Sequence, residues 1–483
     1  MQFDKYFKKQ QEFGVITKIN FPLATVKGLN NIGINELLLA ENLNLGYVYS
    51  IQHDEITVAF LDNYIPDINT KVVKINTPLS IFFSPKALGK VIDPLGRDFY
   101  KKEFLKKCKK YNLYQPPLKI SKRRKIRKQM HTGVLILDLI FPLGKGQREL
   151  IIGAKKTGKS ALLKMIAKSI KKTKDILIYT LIGKKTREIQ EIKEFLEKEK
   201  VIKQTIIVAS TASDSPVMIS LTPETAIRIA EIFRDKNIDT IVMFDDLSIH
   251  AKFYREISLL AKKYPGRESY PGDIFFTHAR LLERAGNFWI NKKETSITAL
   301  PIAESLEDDI TGFIQTNLMS ITDGHIFLDP QLFNEGKRPA INPYLSVTRV
   351  GKQTQSHLER EINLRLFSLL SSYNQAKKLA HLSSELSENI KYLLKFGESV
   401  EEIFQQYIQT TYSKEEEISI ALVLLSAYEK QKYIYPNKLL KFIKSRKKPN
   451  FVDEAKKSLK NDADLSEIFH KLQLPKEVTY EQT

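Results

Sequence analysis

The spacing of apolar positions changes twice along this chain. Over the first ninety residues they form short, often alternating runs, GVITKI, ATVKGL, NELLLA, YVYSIQ and EITVAFL, separated by Asn, Gly, Asp and Pro. Alternation at that length predicts half-buried strands, and turn signals at this interval predict a small barrel or sandwich. A turn-bearing stretch, GKVIDPLGRDF, follows. From about 130 to 350 the texture becomes strand then helix: RELIIG before KSALLKMIAKSIKK, ILIYTLIG before REIQEIKEFLEKEK, QTIIVAS before PETAIRIAEIFRDK, and then DTIVMFDD. Continuous apolar strands alternating with helices predict a parallel sheet covered on both faces. After about 355, Gly and Pro thin out, and Leu-, Lys-, Glu- and Ser-rich segments of helical period, such as HLSSELSENIKYLLKF and EEEISIALVLLSAYEK, predict a helical domain. The expected fold class is mixed: an N-terminal β-barrel over 1–85, a central α/β domain over 86–355, and a C-terminal α-helical bundle over 356–483.

Composition refines this picture in two places. One cysteine, Cys108, rules out an internal disulfide and fits a reducing, cytoplasmic setting. No apolar run is long enough to span a bilayer. The net charge of +20 is unevenly spread: residues 101–128 hold 13 Lys or Arg against one acid, and residues 431–450 add seven bases and no acid. Such blocks neutralise phosphates in nucleic-acid binders. No aromatic stacking platform is interleaved with the charge, so a solvated basic insertion facing an acidic partner surface is preferred to nucleic acid.

The chemistry concentrates at GAKKTGKS. Gly153, Lys155, Lys156, Thr157, Gly158, Lys159, Ser160 and Ala161 fit a phosphate loop, placed after a predicted strand and before a predicted helix. Glycines let backbone N–H groups face phosphate oxygens, and the helix N-terminus adds positive potential. Lys159 reaches the terminal phosphates and Ser160 can hold Mg²⁺. A second Mg²⁺ contact is expected from an acid ending a neighbouring strand, and TIVMF-Asp245-Asp246 supplies Asp245. ATP or ADP with Mg²⁺ is therefore the expected ligand.

With these residues in place the chain resembles the alpha subunits of F1-type rotary ATPases. The segments that carry the likeness are GKVIDPLGR (89–97), GKGQRELIIGAKKTGKSALL (144–163), MFDDLS (243–248), PGRESYPGDIFFTHARLLERA (265–285) and the stretch from TALPIAESLEDD to SVTRVG (298–351). The resemblance implies a β-barrel crown, a RecA-like P-loop domain and a helical bundle. It also implies beta-type catalytic partners in an alternating hexamer around a gamma-type shaft, at the inner face of the cell membrane. It makes Arg349 an arginine finger acting in trans on the partner's site, and places Phe333, Arg338, Pro339 and Gln409 around the adenine. Catalytic beta chains carry a Glu where this chain has Lys184, and alpha chains usually carry Gln. An ammonium cannot accept a proton from water, so retention of ATP without hydrolysis is expected. Glu188 is read as a helix-start acid, and PGRESYPGD as a rigid loop suited to a shaft or to a plain turn.

Several features depart from the family. Thirteen residues precede GVIT, which shortens the stalk-engaging N-terminal helix; Lys155 and Lys156 replace the usual Arg-Gln; the basic block is unusual; and the helical tail is divergent, keeping little beyond LLKFG (393–397) where alpha chains have a Gly-ended helix. These suggest a specialised F1-like paralogue of the kind found in wall-less bacteria, some of them coupled to gliding motility. An ordinary proton-coupled synthase subunit is the alternative. A self-sufficient secretion-type ATPase would need a carboxylate at 184, and a Rho-like RNA translocase would need stacking aromatics on its barrel.

Overall fold

The computed structural model describes residues 2–306, 309–380 and 386–445, and in the tail residues 465, 468, 469, 474, 475 and 477–481. The end of the second basic block (446–450) and residues 381–385 of the HLSSEL run lie outside the described residues. The chain forms two compact units. The first comprises residues up to Lys125, Leu150–Ile152 and Ile170–Thr322; the second comprises Ile126–Glu149, Gly153–Ser169 and the residues from Asp323 onward.

The first unit opens with the helix Gln2–Gln10 and then six strands: β1 (Gly14–Asn20), β2 (Leu23–Lys27), β3 (Glu36–Ala40), β4 (Leu45–Gln52), β5 (Glu55–Phe60) and β6 (Lys71–Pro78). They close into a barrel in the order β1-β2-β5-β4-β3-β6. Alternation explains the closure: Ile16, Val26, Leu38, Val48, Val58 and Val72 all point inward and are fully buried. The five alternating runs of the sequence are the first five strands. The sixth, KVVKINTP, joins β1 to β3.

The same unit carries the α/β sheet. Within this unit its order runs from the strand that includes Leu150–Ile152 through Lys293–Glu304, Thr240–Asp245, Ile176–Lys184 and Thr205–Thr211 to Val91–Ile92. From Lys293–Glu304 to Val91–Ile92 every pair is parallel. Thr205–Thr211 and Thr240–Asp245 are buried along their whole length, and the helix Pro216–Arg234 beside them is almost wholly buried. Its two buried acids, Glu224 and Glu231, are answered by Arg284, which donates to Glu224 Oε2 and Glu231 Oε2 at 2.7 Å each. In the DPLGR turn, Asp93 Oδ1 accepts from the N–H groups of Leu95 and Arg97, and its Oδ2 accepts from Arg97 Nε. A Cβ on Gly96 would stand 2.0 Å from Phe82 O, so only glycine fits there. Part of the basic block is drawn into this unit. Lys109–Asn112 pairs with the strand Ser80–Phe83, and the guanidinium of Arg123 lies over Phe288 while its N–H groups donate to the carbonyls of Glu283 and Ala285.

The second unit holds the phosphate loop and the helices His357–Ala380, Glu388–Phe404, Lys414–Glu429 and Pro436–Lys444. Lys414–Glu429 starts with a capping box, Ser413 with Glu416, and is buried along nearly all its length. Gly397 does not end a helix, as LLKFG suggested. It lies inside Glu388–Phe404, where a Cβ would stand 2.1 Å from the Tyr373 ring. Its smallness serves helix packing.

His250 and His278 are buried in the first unit, with Nδ1 and Nε2 3.1 Å apart. Burial holds the His250 pKa down to about 4; burial, and then the cost of a second charge beside His250, hold His278 well below its ordinary value. Both are neutral when folded and take up protons on unfolding below their ordinary value of 6.5. Their contribution is intact above that pH and declines as pH falls toward the folded-state values. Urea unfolding should therefore show stability falling from pH 7 to pH 5, by up to about 1.4 kcal/mol per unit per histidine. The double variant His250→Gln/His278→Gln should flatten that slope; an unchanged slope would contradict the neutral pair.

Candidate nucleotide site

In the second unit the phosphate loop leads from Gly153 into the helix Lys159–Ser169. Gly153 has no room for a side chain, since a Cβ would meet Leu328 O at 2.6 Å and Thr157 Oγ1 at 2.8 Å. Gly158 has φ +97°, which disfavours any other residue. Thr157 is buried and its hydroxyl donates to Ala154 O at 2.8 Å, closing the turn. Lys159 folds back over the loop, donating to the carbonyls of Gly153 (2.8 Å) and Ala154. Lys155, Lys156 and Ser160 are exposed on the loop's outer face.

The residues expected around an adenine sit in the same unit. Phe333 belongs to the helix Pro330–Asn334, which Asp329 caps by accepting from Gln331 N–H. A ring carbon of Phe333 comes within 3.8 Å of where a Gly158 Cβ would lie. The Arg338 guanidinium stacks 3.5 Å from the Phe333 ring centre and donates to the carbonyls of Phe333 and Lys337 at 2.7 Å. Arg338 and Pro339 also border a pocket of about 350 Å³ walled by Ile136, Tyr344, Tyr373 and Phe404. Gln409 is exposed, and its carbonyl accepts from Lys168 Nζ at 3.0 Å. Three residues before Gln409, sequence reasoning missed Gln406. That side chain is buried, accepts from Leu135 N–H, and donates to the carbonyls of Gly133 and Thr410, while its own N–H donates to Arg338 O. No motif marks it; only the fold gathers its partners.

The acid-ended strand lies in the first unit. Leu181 pairs with Asp245 across the sheet, and the register then slips before Lys184. Gly183, with φ +60°, turns the chain there, and its N–H donates to Ser210 Oγ. The turn delivers Lys184 Nζ to 2.7 Å from Asp245 Oδ1 and 3.4 Å from Asp246 Oδ2. Burial by itself would ease the proton off Lys184, but the two carboxylates outweigh it and raise the pKa. Asp245 is pushed up by burial, pulled back by Lys184, and raised again by Asp246. Asp246 also caps the helix Leu247–Leu260, accepting from Ile249 N–H at 2.8 Å. Lys184 thus holds Asp245 through Oδ1. Glu188 is exposed in the first turn of Thr186–Lys198.

Arg349 stands in the second unit directly after the strand Val347–Thr348, which pairs with Gly324–Leu328. Its N–H donates to Asp323 O, and Asp323 in turn holds Arg148 through both carboxylate oxygens. The Arg349 side chain is exposed and forms no hydrogen bond or ion pair with the described residues.

Comparison with known proteins agrees with this arrangement. Residues 133–348 match the family described as ATP synthase alpha/beta family, nucleotide-binding domain. The chain is 36% identical over 468 residues to ATP synthase subunit alpha of Carsonella ruddii (strain PV), covering 93% of this chain and 96% of that protein. It is 36% identical to the Mycoplasma genitalium subunit, covering 91% and 85%, and 36% identical to that of Wigglesworthia glossinidia brevipalpis, covering 93% and 91%. The chain belongs to the ATP synthase alpha-subunit family. The barrel, the α/β nucleotide-binding domain and the helical C-terminal region are those of an F1-type alpha subunit.

Within this alpha subunit, removing Lys184 would leave Asp245 and Asp246 buried without a counter-charge. Lys184→Met should lower the unfolding free energy by about 3 kcal/mol at pH 8. The loss should shrink at pH 5, where Asp245, already raised, takes up a proton in place of the missing cation. Urea denaturation at the two pH values measures this, and an equal loss at both would contradict the ion pair.

Proposed function

We propose that this alpha-type subunit holds ATP or ADP without hydrolysing it and serves the catalytic site of an adjacent beta-type subunit. One observation carries the reading: the strand end where a hydrolysing chain needs a proton-accepting carboxylate bears an ammonium tied to Asp245 and Asp246. A protonated amine can neither take a proton from water nor orient it as a base. Gly153, Lys155, Lys156, Thr157, Gly158, Lys159, Ser160 and Ala161 cradle the phosphates. Phe333, Arg338, Pro339 and Gln409 line the adenine side. Ser160 and Asp245 are the oxygen ligands the motif assigns to Mg²⁺, which neutralises phosphate charge when bound. The exposed, unpaired Arg349 is the arginine finger, offered to the partner's γ-phosphate, where such a group stabilises charge in the transition state.

The complex is an alternating hexamer of alpha- and beta-type chains about a gamma-type shaft, at the inner face of the cell membrane. An extra acidic partner covers the exposed part of residues 101–128. That block, together with Lys184, Lys155 and Lys156, favours a specialised F1-like motor of wall-less bacteria, one that drives motility. The second reading, a proton-coupled synthase subunit, is favoured by the relatives, which are named ATP synthase subunit alpha. Co-purification of the native complex, with its partner chains identified, separates the two.

The purified chain should bind ATP and release almost no phosphate. Arg349→Ala should lower the ATPase rate of the assembled complex by a factor of about 10³ or more, while ATP binding to this chain stays unchanged. Phe333→Ala should weaken adenine-nucleotide binding by about 1–3 kcal/mol through lost stacking, read by fluorescence titration. Brisk turnover by the isolated chain would overturn the proposal.

A further inference from the structure

The second unit buries another chemical cluster that the nucleotide does not use. His131, Asp138 and Glu417 each offer one ligand atom, and the three atoms lie within 4.8 Å of one another. His131 precedes the turn into the helix Leu135–Ile140, which carries Asp138, and Glu417 lies in the first turn of Lys414–Glu429. His131 Nε2 is 3.0 Å from Glu417 Oε2 and 3.5 Å from Asp138 Oδ2. Nitrogen and oxygen ligands bound to one zinc ion at about 2.0–2.1 Å are separated by about 3.3 Å along each edge of the tetrahedron. The two measured separations bracket that edge.

The cluster is prepared in other ways. Thr132 N–H donates to both oxygens of Asp138 at 3.0 Å and Gly133 N–H donates to Oδ2 at 2.7 Å, which orients the carboxylate. Glu417 is 2% exposed, and its Oε1 accepts no hydrogen bond. Asp138 is equally enclosed, so two acids stand together out of water with one imidazole between them and solvent. Burial and the Asp138 charge drive the Glu417 pKa well up. The neighbouring cation, Lys414, draws the Glu417 pKa partly back down, while its contacts are with Glu359 at 2.6 Å and Gln129 at 3.4 Å. Two buried carboxyls in this position require either a shared proton or a cation. The His131 side chain is 27% exposed, which leaves a face for entry and for a water ligand.

We propose that His131, Asp138 and Glu417 form a binding site for a divalent first-row transition ion of the zinc class. One imidazole with two carboxylates and no thiolate is a nitrogen–oxygen ligand set of that kind. The ion supplies positive charge to the two enclosed carboxyls. It clamps the segment before Leu135–Ile140 to the start of Lys414–Glu429, at a distance in sequence of nearly three hundred residues.

The test uses the full chain, stripped with a chelator and free of nucleotide. Zn²⁺ is titrated calorimetrically at pH 7.5, and Co²⁺ is followed by its visible absorption. One equivalent should bind, with a Co²⁺ band typical of nitrogen and oxygen ligands. His131→Gln and Glu417→Gln should each weaken Zn²⁺ binding at least tenfold while ATP binding persists as a check on folding. If either variant fails to fold, the unsubstituted chain decides: one equivalent of Zn²⁺ should raise its melting temperature, and affinity should fall as pH drops from 7.5 to 6. Absence of a bound equivalent, a pH-independent affinity, or binding that both variants leave intact would overturn the site.

Discussion

The contact between Lys184 Nζ and Asp245 Oδ1, 2.7 Å long and largely withdrawn from water, sets the chemical character of the acid-ended strand. Two adjacent carboxylates at the end of a buried strand are costly to keep charged. An enclosed ammonium is costly as well. Each is tolerated because the other is present, and the short distance keeps both ionised. The strand end is thereby committed to charge balance.

That commitment depends on backbone geometry. Between Leu181 and Lys184 the register against Thr205–Thr211 slips, and Gly183 turns the chain at a positive φ. The loop in the second unit shows the same dependence, with Gly153 closed against Leu328 O and Gly158 at φ +97°. In both places a glycine shapes the path and a lysine supplies the charge.

The cradle's other wall is built by contacts distant in sequence. Arg338 is held flat on Phe333 by its own bonds to two carbonyls, and its backbone oxygen is met by Gln406 N–H. Gln406 also bonds to residues 133, 135 and 410, so one buried amide ties the Arg338 loop to the segment before Leu135–Ile140. Gln409, the glutamine the resemblance offered, is exposed three residues on. Burial, which chooses between neighbouring glutamines, has no signature in a run such as FQQYIQTTY. The same is true of Gly397, which looks like a helix stop in sequence and serves a close helix crossing in the fold.

The sequence by itself determined the alternation of strand and helix, the barrel's inward residues and the phosphate loop, because periodicity and Gly placement act over a few residues. It also determined that residue 184 is a cation. Only the tertiary structure decided what that cation touches, which glutamine is enclosed, and that His131, Asp138 and Glu417 meet. Those outcomes rest on register, turns and burial summed over segments hundreds of residues apart, where local pattern carries no information about distance.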